Sequence, residues 1–304
     1  MVRKPETGVE DLPSAMARVA RSVDDMLDSI LPPLGAGPEG RLFEAMRYGT
    51  INGGKRMRPF LVQATAALFD VPESVSLRVG IAVELIHGYS LIHDDLPCMD
   101  DDALRRGKPA CHIAYGEAMA VLAGDALLPL AFEILTDPVT HPDAAVRVAL
   151  VGGLARAAGA RGMVGGQVLD LAAGDSTLDA GEIARLERLK TGALIAFSCD
   201  AGAILGRAED AERKALAAYA HDLGLVYQMA DDLLDYDGDE SVVGKAVGKD
   251  AAQGKATFVA ALGADKAREQ ARLLSAQAAA HLDMFGDRAG YLRDVARFVV
   301  ERGS

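Results

Sequence analysis

The chain has 304 residues, 50% of them hydrophobic, and a formal net charge of −12. That length allows one large domain or two ordinary ones, and the acidic balance argues against a nucleic-acid partner. Three widely spaced cysteines, Cys98, Cys111 and Cys199, contain no CxxC pair; they support neither a disulfide framework nor a structural zinc site and fit a reducing, cytoplasmic setting.

Residues 1–10 read as a flexible arm without the apolar run of a leader. Apolar residues at Leu12, Met16, Val19, Val23, Leu27 and Ile30 predict a helix over 11–31. A Pro/Gly-rich turn follows, then a short helix over 39–48. Asn52-Gly53-Gly54-Lys55-Arg56-Met57-Arg58 comes next. Its glycines let the backbone approach a ligand, and its three basic side chains would cradle an anion at a helix start. An ordinary turn with surface charges has the same composition.

A helix over 60–69 ends near Pro72, and another runs from 74 until Pro97 breaks it. Its end carries five carboxylates within nine residues: Asp94, Asp95, Asp100, Asp101 and Asp102. Such crowding points to hard divalent cations, foremost Mg²⁺. Arg105 and Arg106, directly after it, point to a phosphate ligand. Taken alone, the stretch also fits a solvated acidic loop.

Residues 103–115 read as a loop, and helical patterns resume over 116–136, 142–160, 161–172, 179–206, 209–236, 255–264, 265–284 and 287–300. The run 118–135 is the most membrane-like, but Asp125, Pro129 and Glu133 interrupt it, so a core helix is expected there and no transmembrane segment. With no alternating strand pattern and no linker, one all-α domain over 1–304 is predicted.

The sharpest motif is Asp231-Asp232-Leu233-Leu234-Asp235. Asp231 and Asp235 stand one turn apart on one helix face, where like charges disfavour the helix by a few tenths of a kcal/mol; a bridging metal would compensate. Two imitations fail. Asp235-x-Asp237-x-Asp239 resembles a calcium loop but has Glu240 where glycine is required and Ala246 where glutamate is required. Gly248 to Lys255 lacks the spacing and the hydroxyl of a P-loop. What remains is two acidic helix ends surrounded by Lys55, Arg58, Arg105, Arg106, Lys190, Lys245 and Lys255. Facing one another across a helical bundle, they would clamp a diphosphate through metals, with a second anion on the basic groups and a greasy tail below. A dry cavity of that kind suits ionisation of a diphosphate ester.

The ordered motifs GGKRMRP at 53–59, HDDLPCMDDDALRRGKP at 93–109, GGQ at 165–167, KTG at 190–192, YQMADDLLD at 227–235, GKAVGKD at 244–250 and GKATF at 254–258 resemble the trans-isoprenyl diphosphate synthases. The resemblance covers roughly residues 40–260 and is most similar to bacterial enzymes that make farnesyl diphosphate. It implies an all-α homodimer, of the isoprenoid synthase type with a central cavity, that elongates an allylic diphosphate head-to-tail with isopentenyl diphosphate. Three Mg²⁺ ions would be held by Asp94, Asp95 and Asp100 on one wall and Asp231, Asp232 and Asp235 on the other. Arg105, Lys190 and Lys245 match allylic-diphosphate contacts. Lys55, Arg58, His87 and Arg106 match the isopentenyl-diphosphate pocket, and Gly54 and Gln167 match substrate-binding positions. Thr191 and Gln228 match polar groups near the developing cation, and Lys255 matches a lysine near the second acidic motif. A terpene cyclase would carry one such motif with a different second triad, and a non-catalytic subunit would lack aspartates that are present here.

Product length would depend on what floors the cavity. Tyr89 precedes Asp94 by five residues, about 7.5 Å along a helix at ~1.5 Å per residue. Ser90 shares the aspartate face better and is small, and a core tyrosine has the same signature. The resemblance favours an aromatic stop at Tyr89 and a fifteen-carbon product, with a twenty-carbon product as the alternative.

Overall fold

A computed structural model describes residues 10–33, 35, 37–51, 53–174, 178–238 and 257–301. Helix starts are fixed by local chemistry. Asp11 caps α1 (Leu12–Ile30) by accepting from the Ser14 amide at 2.9 Å, and its buried stripe is Leu12, Met16, Val19, Val23 and Leu27. Then come α2 (Pro38–Thr50), α3 (Met57–Ala67) and α4 (Glu73–Asp94). A two-residue antiparallel ladder, β1 (Leu104–Arg105) against β2 (Lys108–Pro109), leads into α5 (Cys111–Tyr115), where sequence reasoning expected only loop. α6 (Glu117–Thr136), α7 (Ala144–Ala158) and α8 (Met163–Ala173) follow.

The apolar run expected as one helix over 179–206 is divided. α9 (Ala180–Glu187) starts with a reciprocal capping box between Asp179 and Glu182. It widens into a π turn (Arg188–Gly192) before α10 (Ala193–Leu205). α11 (Asp210–Asp237) has its own capping box, Glu209 with Glu212. The remaining described elements are α12 (Phe258–Leu262), α13 (Ala264–Ala280), a 3-10 segment (Asp283–Ala289) and α14 (Gly290–Glu301).

α4 is the centre of the bundle. It is apolar around most of its circumference, as expected of a helix buried on all sides, and it touches α1, α2, α3, α6 and α10. One hydrophobic cluster joins Leu12 on α1 to Val299 on α14, and a second of Ile183, Met229, Phe258 and Ala271 ties α9, α11, α12 and α13 together. α4 and α6 are each long and apolar enough to cross a membrane by length and composition; 67% of the apolar window of α4 and 39% of that of α6 is buried in the bundle. The exposed face of α6 carries Val121 and Leu122.

Arg56 is the cornerstone of the N-terminal half. It caps α3 with φ of 46° and is 3% exposed. Its guanidinium donates to Glu84 on α4 (2.6 Å), to Asp24 on α1 (2.6 Å) and to the Thr50 carbonyl of α2 (2.7 Å). The middle basic residue of the expected anion cradle therefore points inward and locks four helices.

Candidate active site

The first acidic wall is the C-terminal end of α4. Asp94 is the last helical residue, and the following turn folds back so that the Asp100 amide donates to the Asp94 carbonyl at 2.9 Å. Burial pushes the Asp94 carboxyl up to about 6; Lys190 and Arg105 oppose the shift, and the neighbouring Asp100 and Asp95 add to it. Asp95 behaves differently. It is 2% exposed, and its carboxylate accepts from Arg105 Nε at 2.9 and 3.1 Å and from Arg105 Nη2. Both predicted residues are thus brought together, with Asp95 holding Arg105.

The second wall is the last turns of α11. Asp231 and Asp235 are half-buried. Asp232 is 4% exposed; one oxygen accepts from Gln228 Nε2 at 2.9 Å and the other from the Phe258 amide at 2.7 Å. Asp232 therefore fastens α12 to α11. Among the described residues, no three Asp, Glu, His or Cys side chains converge as a preformed metal cage.

The π turn bridges the two walls. A widened turn inserts one residue into the helical register and presents Lys190 and Thr191 side by side. α8 crosses so closely that a β-carbon on Gly166 would overlap the Lys190 backbone. Burial would lower the Lys190 ammonium, but Asp170, its ion-pair partner, together with Asp94 and Asp100 keeps it above its ordinary value. The Thr191 hydroxyl lies 3.0 Å from Glu187 Oε2 and 3.4 Å from Gln228 Oε1. Glu187 was not anticipated. Burial, reinforced by Asp232, pushes its carboxyl up to about 8 despite the Thr191 hydrogen bond and Lys190. The available signal was its spacing of one turn from Thr191 within an apolar run.

The basic side is built from the loop before α3, from α4 and from the β1–β2 turn. His87 is held neutral well below its ordinary pKa by burial and by Arg58 and Arg106. Burial also lowers Arg106, whose φ is 53° and whose guanidinium donates to the Gly53 carbonyl. Gly54 has φ of 121°, and a β-carbon there would come 2.8 Å from Arg106 Nη2, so glycine is needed both for backbone and for space. Lys55 lies with its ammonium 5.9 Å from the Phe298 ring centroid. Arg58 Nε and Gln167 Nε2 are buried donors without an acceptor. Buried donors of this kind are rare, and an anion would supply the acceptor they lack.

A cavity of 340 Å³ joins the end of α4, the π turn and the Arg58–His87–Gln167 group. Its polar lining includes Arg58, His87, Asp94, Gln167, Lys190 and Thr191; Tyr89, Ser90, Met99, Met163, Val164 and Val168 line it further. Asp95, Arg105 and Arg106 instead border a separate 30 Å³ void beneath the hairpin. The α11 aspartates are outside the cavity lining, and Asp232 connects to it through Gln228 and Thr191. Lys245 and Lys255 lie outside the described residues.

Across residues 39–283 the chain matches the family model for polyprenyl synthetases. The chain belongs to the polyprenyl synthetase family. It is 41% identical over 302 residues to a farnesyl diphosphate synthase of Escherichia coli, covering 96% of this chain and 99% of that one. It is also 41% identical over 302 residues to the chloroplastic geranylgeranyl pyrophosphate synthase 11 of Arabidopsis thaliana, covering 96% and 82% of the two chains. A crystal structure of an FPP/GFPP synthase from Zymomonas mobilis superposes with a TM-score of 0.87 at 52% identity, covering 95% of this chain and 98% of that one. This membership agrees with the all-α fold and with the resemblance carried by the motifs.

Proposed function

We propose that the chain is a prenyltransferase that joins isopentenyl diphosphate head-to-tail to dimethylallyl and then geranyl diphosphate, giving (2E,6E)-farnesyl diphosphate. The observation that carries this reading is the single cavity that has Asp94 and Lys190 on its wall, the unpartnered donors of Arg58 and Gln167 beside them, and an apolar body. Family membership over nearly the whole chain supports the same activity.

The donor set fits Mg²⁺, a hard cation that takes carboxylate oxygens. Asp94, crowded by Asp100 and Asp95 and reluctant to ionise, is the group a cation would relieve. Asp94, Asp95 and Asp100 with Asp231, Asp232 and Asp235 form the metal-holding set, for which three ions are proposed. Within it Asp95 and Asp232 also brace Arg105 and α12 through their protein partners. When bound, Mg²⁺ supplies charge neutralisation for a diphosphate leaving group.

The chain's own residues do the rest. Lys190 and Arg105, with Lys245, bind and orient the allylic diphosphate; Gly54, Lys55, Arg58, His87, Arg106 and Gln167 receive the isopentenyl diphosphate. Thr191 and Gln228 turn oxygen dipoles toward the carbon that becomes cationic, where preorganised dipoles are worth most. Lys255 acts beside the second acidic motif. The apolar lining excludes water from the cation, and Tyr89 floors the cavity. A twenty-carbon product is the second reading: Ser90 is small, and Val164, Val168 and Leu171 line the cavity while being exposed, so the α8 wall is open. A cytoplasmic homodimer is proposed, supported by the exposed apolar side chains Ile113, Leu122 and Val148 on the adjoining α5, α6 and α7.

Asp94→Ala and Asp231→Ala test the metal roles. Steady-state turnover should fall at least about a hundredfold, the scale for losing one preorganised charge-stabilising element, with the circular dichroism spectrum unchanged. Near-normal turnover in either variant excludes that residue from the clamp.

A further inference from the structure

Tyr89 floors the cavity under the proposed prenyltransferase reading, but a phenol ring stops a growing chain only if it is itself prevented from turning aside. On α4 the residue one turn beyond it is His93, and both side chains line the cavity. Their rings meet edge to face, with centroids 5.7 Å apart and planes at 74°, the geometry that aromatic pairs favour. His93 is fixed in turn by α6. Its Nε2 lies 3.1 Å from the Val121 carbonyl, and since a carbonyl only accepts, Nε2 carries the proton and donates. One turn along α6, Gly124 makes the room: a β-carbon there would overlap the imidazole.

We infer that His93 is a positioning residue for product length: seated in the notch at Gly124 and tied to the Val121 carbonyl, it holds the Tyr89 ring across the cavity floor. The chain stop is then a relay of three parts, the α6 notch, the imidazole and the phenol ring. The relay makes opposite demands of its two ends. Removing the imidazole leaves a space beside Tyr89 into which the phenol ring can withdraw, which deepens the cavity. Filling the notch pushes the imidazole off α6 toward the phenol ring, which makes the cavity shallower.

The test is the product distribution of the full-length chain incubated with dimethylallyl and isopentenyl diphosphates and Mg²⁺. In His93→Ala the ratio of twenty-carbon to fifteen-carbon product should rise about tenfold or more, the discrimination that a change of pocket size commands. Gly124→Ala should move the distribution the other way, toward ten-carbon product. His93→Asn, which keeps a donor but loses the ring, serves if either variant is too poorly folded to assay, and should lengthen the product as His93→Ala does. In a Tyr89→Ala background, His93→Ala should change the ratio no further. A folded His93→Ala or His93→Asn with the wild-type ratio overturns the inference. So does a shift that is undiminished in the Tyr89→Ala background, because the imidazole would then not act through Tyr89. A wild-type chain that makes no prenyl diphosphate of any length sinks the prenyltransferase reading and this inference with it.

Discussion

Replacing Asp94 with asparagine removes a charge from a place where burial makes the fold reluctant to hold one. Burial and the neighbouring Asp100 and Asp95 outweigh the help of Lys190 and Arg105, and raise the carboxyl from 3.8 to about 6. At ~1.4 kcal/mol for each pH unit, keeping Asp94 ionised in the metal-free fold costs about 3 kcal/mol. The pH dependence follows in sign. The unfolded carboxyl gives up its proton above 3.8 and the folded one only above about 6, so the folded state binds more protons in that window and wild-type stability falls as pH rises through it. The neutral amide of the variant has no proton to lose there. Asp94→Asn should therefore match wild type near pH 4 and exceed it by about 2–3 kcal/mol at pH 8, about 3–5 °C in melting temperature for a chain of this size. The assay is thermal unfolding in a chelator at both pH values, comparing variant and wild type at each so that other titrations cancel. Adding Mg²⁺ with inorganic diphosphate should then raise the wild-type melting temperature and leave the variant nearly unmoved. A variant equally destabilised at both pH values refutes the reasoning, as does one that gains as much from Mg²⁺ as the wild type.

Two further outcomes follow from named contacts. Arg56→Met leaves Glu84, 4% exposed on the central helix, without its cation, and should cost about 3–5 kcal/mol in urea unfolding; adding Glu84→Gln should recover part of it, and a loss below about 1 kcal/mol would show that the buried pair does not hold the four helices together. Tyr89→Ala should lengthen the product to twenty carbons in chromatographic separation of the dephosphorylated alcohols, whereas an unchanged distribution would show that this ring is not the floor.

Most helices were legible because their apolar spacing is regular and their ends are marked. The apolar stripe from Leu12 to Ile30 and the Pro97 break after Asp94 placed α1 and α4 within one or two residues of where they lie. The division of 179–206 was not legible: a π turn leaves the apolar rhythm nearly intact on both sides, and it sits where α8 crosses closely at Gly166, a tertiary contact. The roles of like residues separated for the same reason. Asp94 and Asp95 are adjacent in sequence, yet only the fold decides that Asp95 turns toward Arg105 while Asp94 lines the cavity. In the basic loop Arg56 and Arg58 look interchangeable, but Arg56 is consumed by Asp24 and Glu84 and Arg58 reaches the cavity. Glu187 passed unnoticed because a single acid in a helix usually faces solvent.

Purified chain incubated with dimethylallyl diphosphate, radiolabelled isopentenyl diphosphate and Mg²⁺ gives the most direct measurement. The label should enter allylic products that end mainly at farnesyl diphosphate, and a chelator should abolish its incorporation. Failure to incorporate label at saturating substrates and Mg²⁺, or incorporation undiminished by the chelator, would contradict a metal-dependent prenyl transfer at this cavity.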